Sequence, residues 1–148
     1  MPQTLSFNLV HIIFSTKDWR PLITEACEAE LHAYLVGATR ELGCERFRVG
    51  GSADHVHLVV RLAPTNNAAR IVSEIKTSSS AWMKKQGVPQ FSWQRGYGLF
   101  SVGPADLGAL LGYIDAQKEH HRRRSFQDEM RVFVEKYHVA FDERYVWD

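Results

Sequence analysis

The stretch Asp54-His55-Val56-His57-Leu58-Val59-Val60 carries the densest potential chemistry in this 148-residue sequence. A strand turns successive side chains to opposite faces, so His55 and His57 point one way while Val56 and Leu58 point the other. Two imidazoles side by side on one sheet face suit a single divalent metal. The plainer alternative is a pair of polar residues on a half-exposed strand. Asp54 can accept the second N–H of a ligating imidazole, or it can simply shape a turn.

Two histidines alone hold a catalytic metal poorly, which directs attention to a further donor. Tyr113-Ile114-Asp115-Ala116-Gln117 offers one, because Tyr113 and Gln117 stand one above the other on a helix face. Both fall beside the apolar stripe of that helix, at the edge of its contact with a sheet. His120 lies on the same flank. Of the five tyrosines, only Tyr113 is followed at the fourth position by a side chain able to bind a metal; Ala38, Ser101 and Phe141 follow Tyr34, Tyr97 and Tyr137. A tyrosine that merely packs, with a wet hydroxyl, is the alternative for Tyr113.

The elements that must position these groups can be read from periodicity. Residues 7–14 form a β-branched, apolar run expected to be a buried strand. Thr24 caps a helix with Cys27, Leu31, Tyr34, Leu35, Ala38 and Leu42 at helical spacing, ended by Gly43. Residues 45–50 and 55–62 read as a hairpin around Gly51-Ser52-Ala53-Asp54. A second helix spans about 67–86 with Ala68, Ile71, Val72, Ile75 and Trp82 buried, and a fourth strand lies near 97–102. Asp106 caps a third helix with Leu107, Leu110, Leu111 and Ile114 inward. Ser125 opens a fourth, with Phe126, Met130, Phe133 and Tyr137 on one stripe. The order β-α-β-β-α-β predicts an α+β, ferredoxin-like or RRM-like sandwich: an antiparallel sheet with helices on one face, plus the tyrosine-bearing helix and one more.

A chain of 148 residues with 45% hydrophobic and 24% charged residues is expected to fold as a single domain over 1–148, which excludes disorder, collagen-like repetition and a disulfide-framed miniprotein. No apolar run approaches the ~18 residues of a membrane span, and MPQTLSFNLV has no secretory pattern. Two cysteines, Cys27 and Cys44, suit a reducing cytoplasm, the expected location. The formal net charge of +1 hides an uneven distribution. Residues 70–124 hold nine basic against four acidic residues, whereas residues 125–148 hold three against six. Lys76, Lys84, Lys85, Arg95, Arg122, Arg123 and Arg124 could contact phosphates, and Trp93 or Tyr97 could stack on an unpaired base; an ordinary solvated surface is the alternative for each. His11, His32 and His138 read as structural, and Trp19, Trp82 and Trp147 as packing or surface aromatics.

Taken together, a His-hydrophobic-His strand followed by a helical Tyr-x-x-x-Gln resembles the single-tyrosine HUH transposases of small bacterial insertion sequences. VHIIFSTKDWRPLIT resembles that family's opening strand and loop, GGSADHVHLVV its metal hairpin, SEIKTSSSAWMKK the helix after it, and FSWQRGYGLFSVG the strand leading to the tyrosine helix. The likeness extends over about residues 7–124. It implies that His55 and His57 are the metal-binding pair, Gln117 the third ligand and Tyr113 the nucleophile, with Mg²⁺ or Mn²⁺ as cofactor. It further implies cleavage and rejoining of single-stranded DNA at hairpin-marked element ends through a 5′-phosphotyrosine. The family also implies a homodimer, in which the tyrosine of one subunit can serve the histidines of the other. Three other readings share parts of this pattern: a domesticated relative acting on chromosomal repeat hairpins, a non-catalytic RRM-like nucleic-acid-binding module, and a small metallohydrolase.

Overall fold

The computed structural model describes residues 2–117, 119, 124–144 and 146–148, with the side chains of residues 46 and 47 left aside. Its strands are β1 (Asn8–Ser15), β2 (Glu45–Ser52), β3 (His55–Leu62) and β4 (Gly98–Ser101), and its helices α1 (Glu25–Glu41), α2 (Ala68–Lys85), α3 (Leu107–Asp115) and α4 (Phe126–Lys136). The strands form one antiparallel sheet in the order β2-β3-β1-β4, the arrangement expected of a β-α-β-β-α-β chain. The α+β sandwich predicted from the sequence is the fold observed.

Alternation along the two central strands assigns each side chain to one of two layers. Val10, Ile12 and Phe14 of β1 and Val56, Leu58 and Val60 of β3 point to one side. There they pack with Leu31 and Leu35 of α1 and Ile71, Val72, Ile75 and Met83 of α2 in the largest core cluster. Leu9 and Val59 point to the other side and meet Ile114 of α3, while Ile13 joins Phe100 and the Phe126, Met130 and Val134 stripe of α4. Thus α1 and α2 cover one face, and the two further helices cover the opposite face, where the histidines lie. Because both faces are covered, seven of the eight β1 residues are buried.

Local signals set the boundaries. Asn67 caps α2, accepting a hydrogen bond from the Arg70 backbone N–H at 3.1 Å. Ser125 caps α4 in the same way through the Asp128 N–H at 3.2 Å. Gly43 ends α1 with φ +86°, which a side chain would make costly. Thr24 and Asp106 stand at the N-caps of α1 and α3 without a side-chain capping bond. Strand β2 runs to Ser52, two residues further than its sequence suggested, leaving Ala53 and Asp54 as the hairpin loop.

The approach of α3 to the sheet depends on Gly50. A Cβ placed there would lie 2.6 Å from Ile114 Cγ2 and 3.0 Å from the Ile114 carbonyl oxygen. The missing side chain lets α3 settle against β2 and hold Tyr113 over the sheet. Gly50→Ala is therefore expected to destabilise the protein by roughly 1–3 kcal/mol through overpacking. Urea unfolding measures this; an unchanged midpoint would contradict the close approach.

Candidate active site

Strand β3 sets the site by presenting His55 and His57 on the face away from the main core, and both are fully buried beneath α3 and α4. The tip of the hairpin is anchored to the loop after β1: Thr16 N–H donates to the Asp54 carbonyl at 2.8 Å and Ile23 N–H to the Ala53 carbonyl at 3.0 Å. Asp54 Oδ1 in turn lies 2.8 Å from His55 Nδ1 and fixes that ring.

His55 Nε2 then faces Gln117 Oε1 at 2.8 Å, which brings the distant helix and the hairpin together. Gln117 is itself almost fully buried, and its amide nitrogen donates back to the Tyr113 carbonyl at 3.5 Å. Tyr113 stands edge-on over His57, with ring centroids 6.0 Å apart. The pair His55–His57 and the pair Tyr113–Gln117 thus converge within one chain. No partner subunit is needed to place Tyr113 beside these histidines.

Two further groups complete the site, and neither was assigned to it from the sequence. His11, expected to be structural, is buried on β1 with its Nε2 2.8 Å from His57 Nδ1. It holds the second imidazole much as Asp54 holds the first. The strand register that makes this contact possible, with Ile13 opposite His57, is a long-range property that no local pattern displays. Glu129 of α4 is 2% exposed, and its Oε2 lies 3.5 Å from the Nε2 of both His55 and His57. It interrupts the apolar stripe Phe126-Met130-Phe133, and that interruption was its one visible signal.

The electrostatics follow from burial. Removing a carboxylate from water costs on the order of several kcal/mol unless charge or hydrogen bonds compensate. Burial pushes Glu129 up, but its His57 and His55 neighbours outweigh this and hold it below the usual range. Burial pushes His55 down, and the hydrogen bond to Asp54 together with the Glu129 charge more than reverses it. For His57 burial prevails and lowers its pKa to about 4. Burial, reinforced by the Glu129 charge, drives the Tyr113 phenol well above its ordinary range.

A divalent cation fits this donor set. His57 Nε2 and both Glu129 carboxylate oxygens are buried without a hydrogen-bond partner. One ligand atom each from His55, His57 and Glu129 lies within 4.8 Å of the others. The 3.5 Å between Glu129 Oε2 and the Nε2 of each imidazole brings all three donors within reach of a single ion.

The proposed phosphate-contacting residues separate into groups. Lys84, Lys85, Arg95, Arg124 and Tyr97 are exposed. Two assignments are corrected. The Lys76 ammonium donates to the carbonyls of Gln94, Arg95 and Gly96, so its donors secure the loop before β4 instead of facing solvent. Trp93 packs in the main core with its indole N–H on Ser79 Oγ at 2.9 Å, so it is no stacking platform. Arg122, Arg123 and His120 lie outside the described residues.

The opposite pKa directions of the two histidines can be tested in the metal-free protein. In an NMR titration, the His57 Cε1–H signal is expected to shift with a midpoint of about 4 and that of His55 with one above the free value of 6.5. Between pH 6.5 and 4 the unfolded chain binds a proton at position 57 that the native state refuses. That group therefore lowers stability as pH falls through the window. The raised pKa of His55 acts oppositely, its contribution being lost as pH rises through the folded value. A His57 midpoint at or above 6.5 would contradict the site.

The fold is shared with solved structures. A crystal structure of a candidate transposase from Deinococcus radiodurans R1 superposes with a TM-score of 0.64 at 19% identity, covering 79% of this chain and 95% of that one. A REP-associated tyrosine transposase, solved bound to a REP hairpin, gives a TM-score of 0.62 at 14% identity, covering 82% of this chain and 74% of that one. Among curated proteins none matches. The model of the family described as "Transposase IS200 like" matches residues 6–117, a stretch that holds the histidine hairpin, the tyrosine helix and Gln117, and the chain therefore belongs to the IS200-like transposases.

Proposed function

We propose that this chain cleaves and rejoins single-stranded DNA at hairpin-marked sites, with Tyr113 as the nucleophile. The observation that carries this reading is the placement of a phenol beside two buried imidazoles, an amide oxygen and a carboxylate in one chain. Family membership supports DNA cutting and transfer. The likeness to a transposase bound to a REP hairpin favours a hairpin substrate and keeps open the related reading of a repeat-associated enzyme acting on chromosomal hairpins.

In the proposed reaction the Tyr113 oxygen attacks the scissile phosphorus, and the bond from phosphorus to the 3′ oxygen breaks. The phenol proton is lost, the departing strand leaves with a 3′-hydroxyl, and the 5′ phosphate remains joined to Tyr113. The linkage is still a phosphodiester, so another 3′-hydroxyl can attack it and restore a DNA strand without a nucleotide cofactor. An activated water would instead give the phosphate away, which is why a tyrosine suits rearrangement better than degradation.

His55, His57 and Gln117 would hold a divalent cation, Mg²⁺ or Mn²⁺, which when bound supplies positive charge to polarise the phosphate. Asp54 and His11 fix the orientation of the two rings and leave each Nε2 facing the site. Burial, reinforced by the Glu129 charge, opposes ionisation of Tyr113, so the phenol keeps its proton until positive charge is supplied beside it. The exposed Lys84, Lys85 and Arg95, together with Arg122 and Arg123, are proposed to meet the phosphate backbone. No described helix is long and apolar enough to cross a membrane. A homodimer and a cytoplasmic location remain part of this proposal.

Incubating the protein with a single-stranded hairpin substrate and Mn²⁺ is expected to yield a protein–DNA adduct that survives boiling in detergent. Tyr113→Phe should abolish it while leaving DNA affinity within about threefold, because the substitution removes only the nucleophilic oxygen. His57→Ala should slow adduct formation by roughly a hundredfold or more. An adduct that persists in Tyr113→Phe contradicts the assignment. Multiple turnover with no adduct at any time would favour a hydrolase.

A further inference from the structure

The family match ends at residue 117, yet the donor group does not. Glu129 comes from α4, beyond the tyrosine helix, and is the one polar residue among the four buried positions of that helix. Phe126 beside it packs against His55 with ring centroids 5.1 Å apart, and Met130 and Val134 continue the contact with the sheet. The helix thus delivers a carboxylate, its two oxygens without hydrogen-bond partners, to the same point at which the imidazoles aim.

We propose that Glu129 is a further ligand of the divalent cation, so that binding of the ion joins β3 and α4 and stabilises the docking of the C-terminal helix. The inference rests on the metal site proposed above and extends it. Two imidazoles and an amide are neutral donors, whereas a carboxylate adds a hard anionic oxygen of the kind Mg²⁺ and Mn²⁺ prefer. The ion also adds positive charge beside a buried carboxylate that already faces the two imidazoles. Linkage makes the effect reciprocal: a docked α4 tightens ion binding by the same factor by which the ion favours docking. The C-terminal helix then belongs to the active centre instead of being an appendage to it.

The experiment uses the full chain without DNA and Mn²⁺ as the probe. Calorimetric titration is expected to show one ion per chain, bound at least roughly tenfold more weakly in Glu129→Gln. Glu129→Asp, which keeps the charge but shortens the reach, should also bind more weakly. Hydrogen exchange across residues 126–136 should slow on adding Mn²⁺ to the wild type and stay unchanged in Glu129→Gln. Metal-free thermal unfolding serves as the folding control, and the isosteric glutamine should not lower it. Wild-type Mn²⁺ affinity in both Glu129 variants, with binding lost in His57→Ala, overturns this inference alone. Undiminished affinity in His57→Ala overturns the metal site beneath it as well. Exchange in α4 that ignores bound Mn²⁺ overturns the coupling.

Discussion

Four polar groups from three parts of the chain are forced to satisfy one another out of contact with water. His55 and His57 are fully buried, Gln117 is 1% exposed and Glu129 2% exposed, and their ligand atoms converge on one small volume. Solvent does not compensate these groups, so their mutual geometry determines which protonation states and which ligands the site accepts. Strand alternation creates the constraint. The residues between and flanking the histidines, Val56 and Leu58, are committed to the opposite core, so neither imidazole can turn away without exposing that core to a register change.

The two faces of the sheet therefore have different duties. The face under α1 and α2 is filled with aliphatic and aromatic side chains and supplies most of the apolar burial. The face under α3 and α4 carries smaller apolar clusters that bracket the polar centre, with Ile114 on one side and Phe126, Met130 and Val134 on the other. Those clusters hold the helices that bear Tyr113 and Glu129, and the two imidazoles are oriented from outside the centre by Asp54 and His11. Burial and the neighbouring Glu129 carboxylate together favour the protonated form of the Tyr113 phenol.

Much of this was legible in the sequence because it rests on local periodicity. Period two put His55 and His57 on a common face, and Asn67, Ser125 and Gly43 marked helix ends. The helix of Tyr113, however, stops at Asp115, and Gln117 reaches the Tyr113 carbonyl from beyond the Ala116 cap instead of from the same helix face. What escaped depends on pairings between elements. His11 is an unremarkable residue of an apolar strand until the β1–β3 register sets it diagonally from His57. Glu129 is one carboxylate in an acidic segment until α4 folds back over the sheet. Trp93, beside basic Arg95, read as a ring able to stack on a base, but a loop whose tryptophan reaches Ser79 and Phe14 is anchored through that ring. Lys76 counted as free charge because its three carbonyl partners lie in a different segment, a contact that composition does not reveal.

The central claim is that imidazoles two residues apart on β3 bind one divalent ion beside Tyr113. Pulsed electron paramagnetic resonance of Mn²⁺ bound to the full chain addresses this most directly, because nitrogen couplings count the imidazoles on the ion. The account predicts one Mn²⁺ per chain coupled to two imidazole nitrogens, with one coupling lost when either histidine is replaced by alanine. A bound Mn²⁺ whose spectrum shows no imidazole nitrogen would contradict it.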